Sequence, residues 1–247
     1  MIKGGLVEWL ALSDSWEGTK YIMNVKRNLQ EIEKLISVSC ERAKRKISDV
    51  KIIAVTKYVS FERAQEAISS GVVHLGENRD VGLLEKHEKI GNDVSWHFIG
   101  SLQTKKVKHI IDKIDYIHSL DRLSLAAEIN KRSAKMIKCF VQLNVSKEES
   151  KHGITPEELL EFVKAVEPYP NILIVGLMTM APFTEDQDLI RSCFRRLSEL
   201  RNDVQALNLR HAPCTELSMG MSNDFQLAVE EGATFIRLGT SLVGKEF

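Results

Sequence analysis

From residue 50 onward the chain alternates short apolar runs with amphipathic stretches, and this repeat limits the fold more than any other feature. The apolar runs fall at Val50–Thr56, Val72–Gly76, Ser95–Ile99, Asp115–Ser119, Lys138–Val145, Ile172–Met178, Glu216–Met219 and Thr234–Leu238. Helical patterning fills the gaps, at 61–70, 78–90, 103–112, 122–134, 156–166, 186–202 and 223–231. Strands that alternate strictly with helices build a parallel sheet. Eight of them predict an α/β fold closed into a single (β/α)8 barrel of the TIM type, with an open doubly wound sheet as the structural alternative. The 247 residues suit one such barrel.

An extra helix precedes the repeat. Val25, Leu29, Ile32, Ile36, Cys40 and Ala43 recur at steps of three and four within residues 24–46, which places them on one face. Residues 1–22 carry little periodicity and read as a flexible extension, leaving 23–247 as one barrel domain. The run Glu41-Arg42-Ala43-Lys44-Arg45-Lys46 reads as a solvated helix end. Thr155 is expected to cap a helix whose first residue is Pro156, and Asn223 or Ser222 to cap the one that starts near 223.

Lys plus Arg and Asp plus Glu both number 34, so the chain has no net charge with which to attract nucleic acid or an anionic membrane. The cysteines at 40, 139, 193 and 214 are scattered. That pattern argues against a zinc site or a disulfide framework and implies a reducing, cytoplasmic setting. No apolar run approaches the ~20 residues that span a bilayer. The apolar start Met1–Leu12 is interrupted by Glu8 and lacks a clear cleavage site, so a secretory signal is not expected.

Barrels of this type carry their chemistry where strands end. Lys57 ends the first strand; a partly desolvated mouth would penalise its charged form and free the amine to form an imine. A solvated surface charge is the plain alternative. Ser218-Met219-Gly220-Met221-Ser222 and Gly239-Thr240-Ser241 follow the seventh and eighth strands, the recurrent phosphate site of the architecture. Gly and Ser also simply make turns. Arg237 interrupts an apolar strand, so it either faces a phosphate or a ring nitrogen, or points outward from a strand placed wrongly. His74, His97 and His118 suit a metal-dependent hydrolase or else packed, hydrogen-bonded core positions. The methionines at 178, 180, 219 and 221 read as core filler.

In their order along the chain, several short stretches resemble one family. They are Ala54-Val55-Thr56-Lys57, Gly76-Glu77-Asn78, His97-Phe98-Ile99-Gly100 with Leu102-Gln103, and Ser150-Lys151-His152-Gly153. Further on come Gly176-Leu177-Met178-Thr179-Met180, Leu217 to Ser222, and Ile236-Arg237-Leu238-Gly239-Thr240. The set is similar to the pyridoxal-phosphate homeostasis (YggS-like) proteins, relatives of the alanine racemase barrel domain. The resemblance runs from about Met23 to the C-terminus. It implies pyridoxal 5'-phosphate as cofactor, held as a Schiff base on Lys57. It further implies that Ser218, Gly239 and Thr240 hold the phosphate and that Asn78 and Arg237 line the cofactor. The sequence departs from the family at Arg79-Asp80-Val81, where an aromatic residue is usual, and at Leu242-Val243-Gly244, where a phenylalanine before glycine is usual.

Pyridoxal phosphate supplies the electron sink and the protein selects the reaction. In alanine racemases an additional β domain supplies a second base. The chain ends just past the eighth strand, so no such domain is expected. Tyr58 adjoins Lys57, but neighbours on an extended segment point opposite ways. If Arg237 faces the pyridine nitrogen and not the phosphate, its guanidinium is a poor proton donor there, which weakens carbanion stabilisation. The expected role is therefore a monomeric, non-enzymatic carrier that buffers the cofactor and delivers it to recipient enzymes. An amino-acid racemase or decarboxylase is the enzymatic alternative. The sequence leaves open a second role for Lys151.

Overall fold

The computed structural model describes residues 24–146 and 152–246. The expected extension at 1–22, and Ser150 and Lys151, lie outside the described residues. Eight strands pair in parallel and in sequence order, β1 against β8, so the sheet closes into a barrel. The elements are α1 (Val25–Arg42), β1 (Lys51–Val55), α2 (Phe61–Ser69), β2 (His74–Glu77), α3 (Asp80–Ile90), β3 (Ser95–Phe98), α4 (Val107–Ile110) and β4 (Tyr116–Leu120). They continue with α5 (Leu123–Arg132), β5 (Ile137–Gln142), α6 (Leu159–Ala165), β6 (Ile172–Met178), α7 (Gln187–Ala206), β7 (Glu216–Ser218), α8 (Phe225–Glu230) and β8 (Phe235–Leu238). Among the described residues no helix is long and apolar enough to cross a membrane.

The larger core lies between strands and helices, where Ala54, Leu75, Phe98, Ile117, Leu177 and Ile236 meet the apolar helix faces. A separate, smaller core fills the barrel interior with Ile53, Phe140, Val175, Met178 and Phe235. Strand periodicity explains the split, since alternate residues of β8 point outward (Ile236) and inward (Phe235, Arg237). The interior also holds buried His97, His118, Ser218 and Arg237, an unusually polar filling.

Several boundaries differ from the sequence expectation for local reasons. The segment 103–112 is broken into a 3-10 turn at Thr104–Lys106, the single turn α4, and a second 3-10 turn at Ile111–Lys113. Pro156 does not open α6; residues 156–158 form a turn and the helix begins at Leu159. Thr155 donates its N–H and hydroxyl to Glu158 Oε2, at 3.0 and 2.9 Å, which tightens that turn. Neither Ser222 nor Asn223 caps α8, whose preceding residue is Asp224. The basic run after α1 is not wholly solvated either: Arg45 donates to the carbonyls of Val229 (2.6 Å) and Ala233 (2.8 Å). It thereby satisfies the C-terminal end of α8, where a cation is favoured, and pins α1 to the barrel.

Candidate functional site

The carboxyl ends of the strands open on a cavity of about 530 Å3, within the range of small-molecule sites. Lys57, Asn78, Arg237, Gly239 and Thr240 all line it. Strand β1 brings Lys57 to the mouth, in the turn that follows Thr56. Its ammonium lies 4.8 Å from the centre of the Tyr58 ring, and among the described residues no carboxylate pairs with it. The expectation that Tyr58 points away from Lys57 is corrected here, because the two residues form a turn rather than an extended segment.

A buried ion pair anchors this end of β1. Lys86 of α3 donates to Glu77 Oε1 at 2.9 Å and to the Thr56 carbonyl at 3.1 Å, and the Thr56 hydroxyl donates to the same carboxylate at 2.6 Å. The cluster ties β1, β2 and α3 together immediately before Lys57. Because Glu77 is 1 % exposed, Glu77→Gln would strand the Lys86 charge and is expected to cost about 3–5 kcal/mol. Urea unfolding would measure it, with recovery on adding Lys86→Met; an unchanged midpoint for Glu77→Gln would refute the anchoring role.

Asn78 reaches the wall through a close backbone approach. A Cβ at Gly100 would lie 2.3 Å from the Asn78 carbonyl oxygen, so only glycine lets the segment after β3 pack against the segment after β2.

Arg237 forms the floor, only 4 % exposed. Its guanidinium donates to Ser218 Oγ at 2.6 Å and to the Thr179 carbonyl at 2.9 Å. The outward-facing alternative is thus excluded. Burial pulls its pKa down to about 10, partly opposed by the nearby Asp224. The same desolvation pushes the Asp224 carboxyl up, against Met221 N–H donation and the attraction of Arg237.

Ser218 is not on the cavity wall. It is fully buried beneath Arg237, with its hydroxyl bonded to Arg237 and to His118, so that hydroxyl is already engaged. Ser222, which belongs to the segment expected to hold a phosphate, and Asn223, expected only as a helix cap, both line the cavity. The backbone N–H groups of Ser222, Asn223 and Thr240 meet no acceptor among the described residues. Three backbone donors without a protein acceptor thus belong to residues that line the cavity. The loop is held in shape by Met221 N–H donating to Asp224 Oδ1 and by Ser241 donating to Ser222 Oγ. Met219 and Met178 are core, as expected, with Met178 also bordering the cavity; Met180 and Met221 are exposed on its wall and correct the core-filler reading.

The three histidines lie in one line, with His97 and His118 fully buried and His74 half-buried. His74 Nδ1 is 3.0 Å from His97 Nε2, His97 Nδ1 is 2.9 Å from His118 Nε2, and His118 Nδ1 is 2.9 Å from Ser218 Oγ. Burial holds all three pKa values down, His74 to about 4 and the other two well below the ordinary value. Among the described residues no group of three or more His, Cys, Asp or Glu is arranged to hold a metal ion.

A parallel barrel with a lysine after its first strand and unpaired backbone donors after its seventh and eighth, all on one cavity, defines a class. The sequence profile of the family "Alanine racemase, N-terminal domain" matches residues 28–246. The chain belongs to that family and, within it, to the pyridoxal phosphate homeostasis proteins. It is 41 % identical over 227 residues to the pyridoxal phosphate homeostasis protein of Aquifex aeolicus, covering 90 % of this chain and 99 % of the relative. The protein of that name from Haemophilus influenzae is 32 % identical, with 90 % and 96 % covered. Among solved structures, PipY of Synechococcus elongatus with PLP bound has a TM-score of 0.77 and 30 % identity, covering 89 % of this chain and all of that one (100 %). An alanine racemase from Clostridium difficile has a TM-score of 0.70 at 16 % identity, covering 89 % of this chain and 55 % of that one; it shares the fold.

Proposed function

We propose that this chain binds pyridoxal 5'-phosphate as a Schiff base on Lys57 and serves its intracellular buffering and delivery. One observation carries the reading: a lysine without a carboxylate partner shares a cavity with three unsatisfied backbone donors. An amine and an anion cradle are what a phosphorylated aldehyde requires. The names of the relatives, and the cofactor bound to PipY, support it.

When bound, pyridoxal phosphate supplies a carbonyl that condenses reversibly with amines. In this arrangement the N–H groups of Ser222, Asn223 and Thr240 take the phosphate, with Gly239 leaving room beside them. Arg237 takes the ring nitrogen. The donors stand at the exposed rim, which suits a dianion, and the guanidinium lies at the buried floor. Asn78 and Met221 border the ring. Ser218 contributes through Arg237 and does not touch the phosphate.

The carrier role is non-enzymatic. Arg237 stays protonated and donates poorly, so carbanion chemistry gains little from the ring. Cytoplasmic buffering fits a reversible covalent hold, from which a recipient enzyme's lysine can remove the cofactor by exchange.

The test is the visible spectrum of the purified, cofactor-loaded protein before and after borohydride, beside Lys57→Ala. A band near ~420 nm that reduction abolishes and the variant lacks is expected. No band after adding excess pyridoxal phosphate would overturn the binding claim. Rapid turnover of a common amino acid would replace the carrier with a racemase or decarboxylase.

A further inference from the structure

The line of imidazoles through the barrel has a direction. Arg237 has donors and no acceptor, so Ser218 Oγ accepts from it at 2.6 Å. Ser218 Oγ could accept a second bond, but among the described residues its own buried O–H has no partner other than His118 Nδ1, 2.9 Å away, so satisfying that hydroxyl makes His118 the acceptor. A neutral imidazole that accepts at Nδ1 carries its proton on Nε2. His118 Nε2 therefore donates to His97 Nδ1, and His97 Nε2 in turn donates to His74 Nδ1. Every N–H in the chain points away from the cavity, toward the opposite mouth of the barrel.

The rings are also fixed in place. His97 stacks on Tyr116 with centroids 4.2 Å apart, and His118 stacks on Phe140 at 4.4 Å. Both imidazoles are fully buried, and burying a polar ring costs free energy that an apolar side chain would not. Packing alone therefore does not account for three of them in hydrogen-bonded series. Cationic groups surround the line: Arg237 at one end, Lys51 and Lys138 near the other, with Asp115 the opposing charge by His74. That setting keeps the rings neutral and the proton order intact.

We propose that His118, backed by His97 and His74, is a positioning residue for Arg237: the proton-ordered chain commits the Ser218 hydroxyl and so holds the guanidinium at the cavity floor. The consequence for the cofactor rests on the reading that Arg237 meets the ring nitrogen. The ordering itself does not. An alternative acceptor for Ser218 would let its hydroxyl turn and Arg237 lose one of its two fixed partners.

Nitrogen-15 NMR of the full chain, without and with pyridoxal phosphate, tests the ordering. The expected result is Nε2–H and bare Nδ1 on all three rings, with slowly exchanging, sharp guanidinium signals from Arg237. An Nδ1–H or doubly protonated His97 or His118 at neutral pH overturns the proposal. In His118→Leu and in Ser218→Ala the Arg237 signals are expected to broaden. His118→Asn, which can place an acceptor near the Nδ1 position, is expected to keep them. Pyridoxal phosphate affinity is expected to fall roughly tenfold in His118→Leu, as for loss of one charge-assisted hydrogen bond, and to recover in His118→Asn. Ser218→Ala serves if His118→Leu does not fold. Sharp Arg237 signals in either folded variant would overturn the positioning role. A wild-type chain that shows the ordered tautomers but binds no cofactor overturns the proposed function and leaves this chain of contacts standing.

Discussion

Gly176→Ala is expected to leave no cooperatively folded protein. Gly176 lies in β6 beside Glu216 of β7, and a Cβ there would sit 2.0 Å from the Glu216 carbonyl oxygen and 2.6 Å from its carbon. Both atoms belong to a neighbouring strand's backbone, so no side chain can rotate aside. Relief requires β6 and β7 to separate, and the barrel closes only if every strand pair holds. Ordinary overpacking costs about 1–3 kcal/mol. A backbone clash of this depth is expected to exceed about 4 kcal/mol, most of a typical domain's stability. Soluble yield and a circular dichroism melt would measure it. Gly239→Ala is the steric control, since its Cβ would meet nothing nearer than Val55 at 3.7 Å, an ordinary contact. A Gly176→Ala protein that melts like the parent would refute the packing argument.

Acid is expected to unfold the protein unusually early, through the buried histidines. His74 titrates near 6.5 when unfolded and at about 4 when folded; His97 and His118 are held well below the ordinary value. Each unfolded histidine therefore binds a proton in a range where the folded one does not, and stability rises with pH there. The stabilisation is whole above about pH 6.5 and drains as the pH falls. For His74 the loss levels off below its folded value of about 4. After discounting for partial exposure, His74 alone contributes about 1–2 kcal/mol. His97 and His118, fully buried, add to the loss and extend it to lower pH.

The window identifies the cause. Asp80, Glu128, Glu158, Glu230 and Glu246 are all held below their ordinary values, so their contributions drain only below about 4.5. Asp224, pushed up by burial, acts in the opposite sense. A loss of stability between pH 6.5 and 5 thus belongs to the histidines. Urea midpoints at pH 7, 6, 5 and 4 would show it, and a flat profile down to pH 5 would contradict the buried, neutral chain.

The alternation of apolar runs determined the parallel α/β fold, and the pairing of β1 with β8 decided the closed barrel over an open doubly wound sheet. Each of the eight expected strands lies within a few residues of its place, because a strand buried on both faces reads as a continuous apolar run. The segment 103–112 and the start at Pro156 went astray because short turns between strands carry no periodic signal. Position at a strand end singled out Lys57, Gly239 and Thr240, a charge within an apolar run singled out Arg237, and Asn78 came with the family resemblance; all five line the cavity at one mouth of the barrel. Only the tertiary structure placed Ser218 beneath the cavity and Ser222 on its wall. Strand alternation turned Ser218 into the interior, where Arg237 and His118 claimed its hydroxyl, while the turn after β7 left Ser222 at the rim. Likewise His74, His97 and His118 are far apart in sequence on β2, β3 and β4. Adjacent strand pairing sets them in hydrogen-bonding reach, and the Ser218 hydroxyl, with only His118 to donate to among the described residues, gives the line its direction; neither is written in any local stretch of chain.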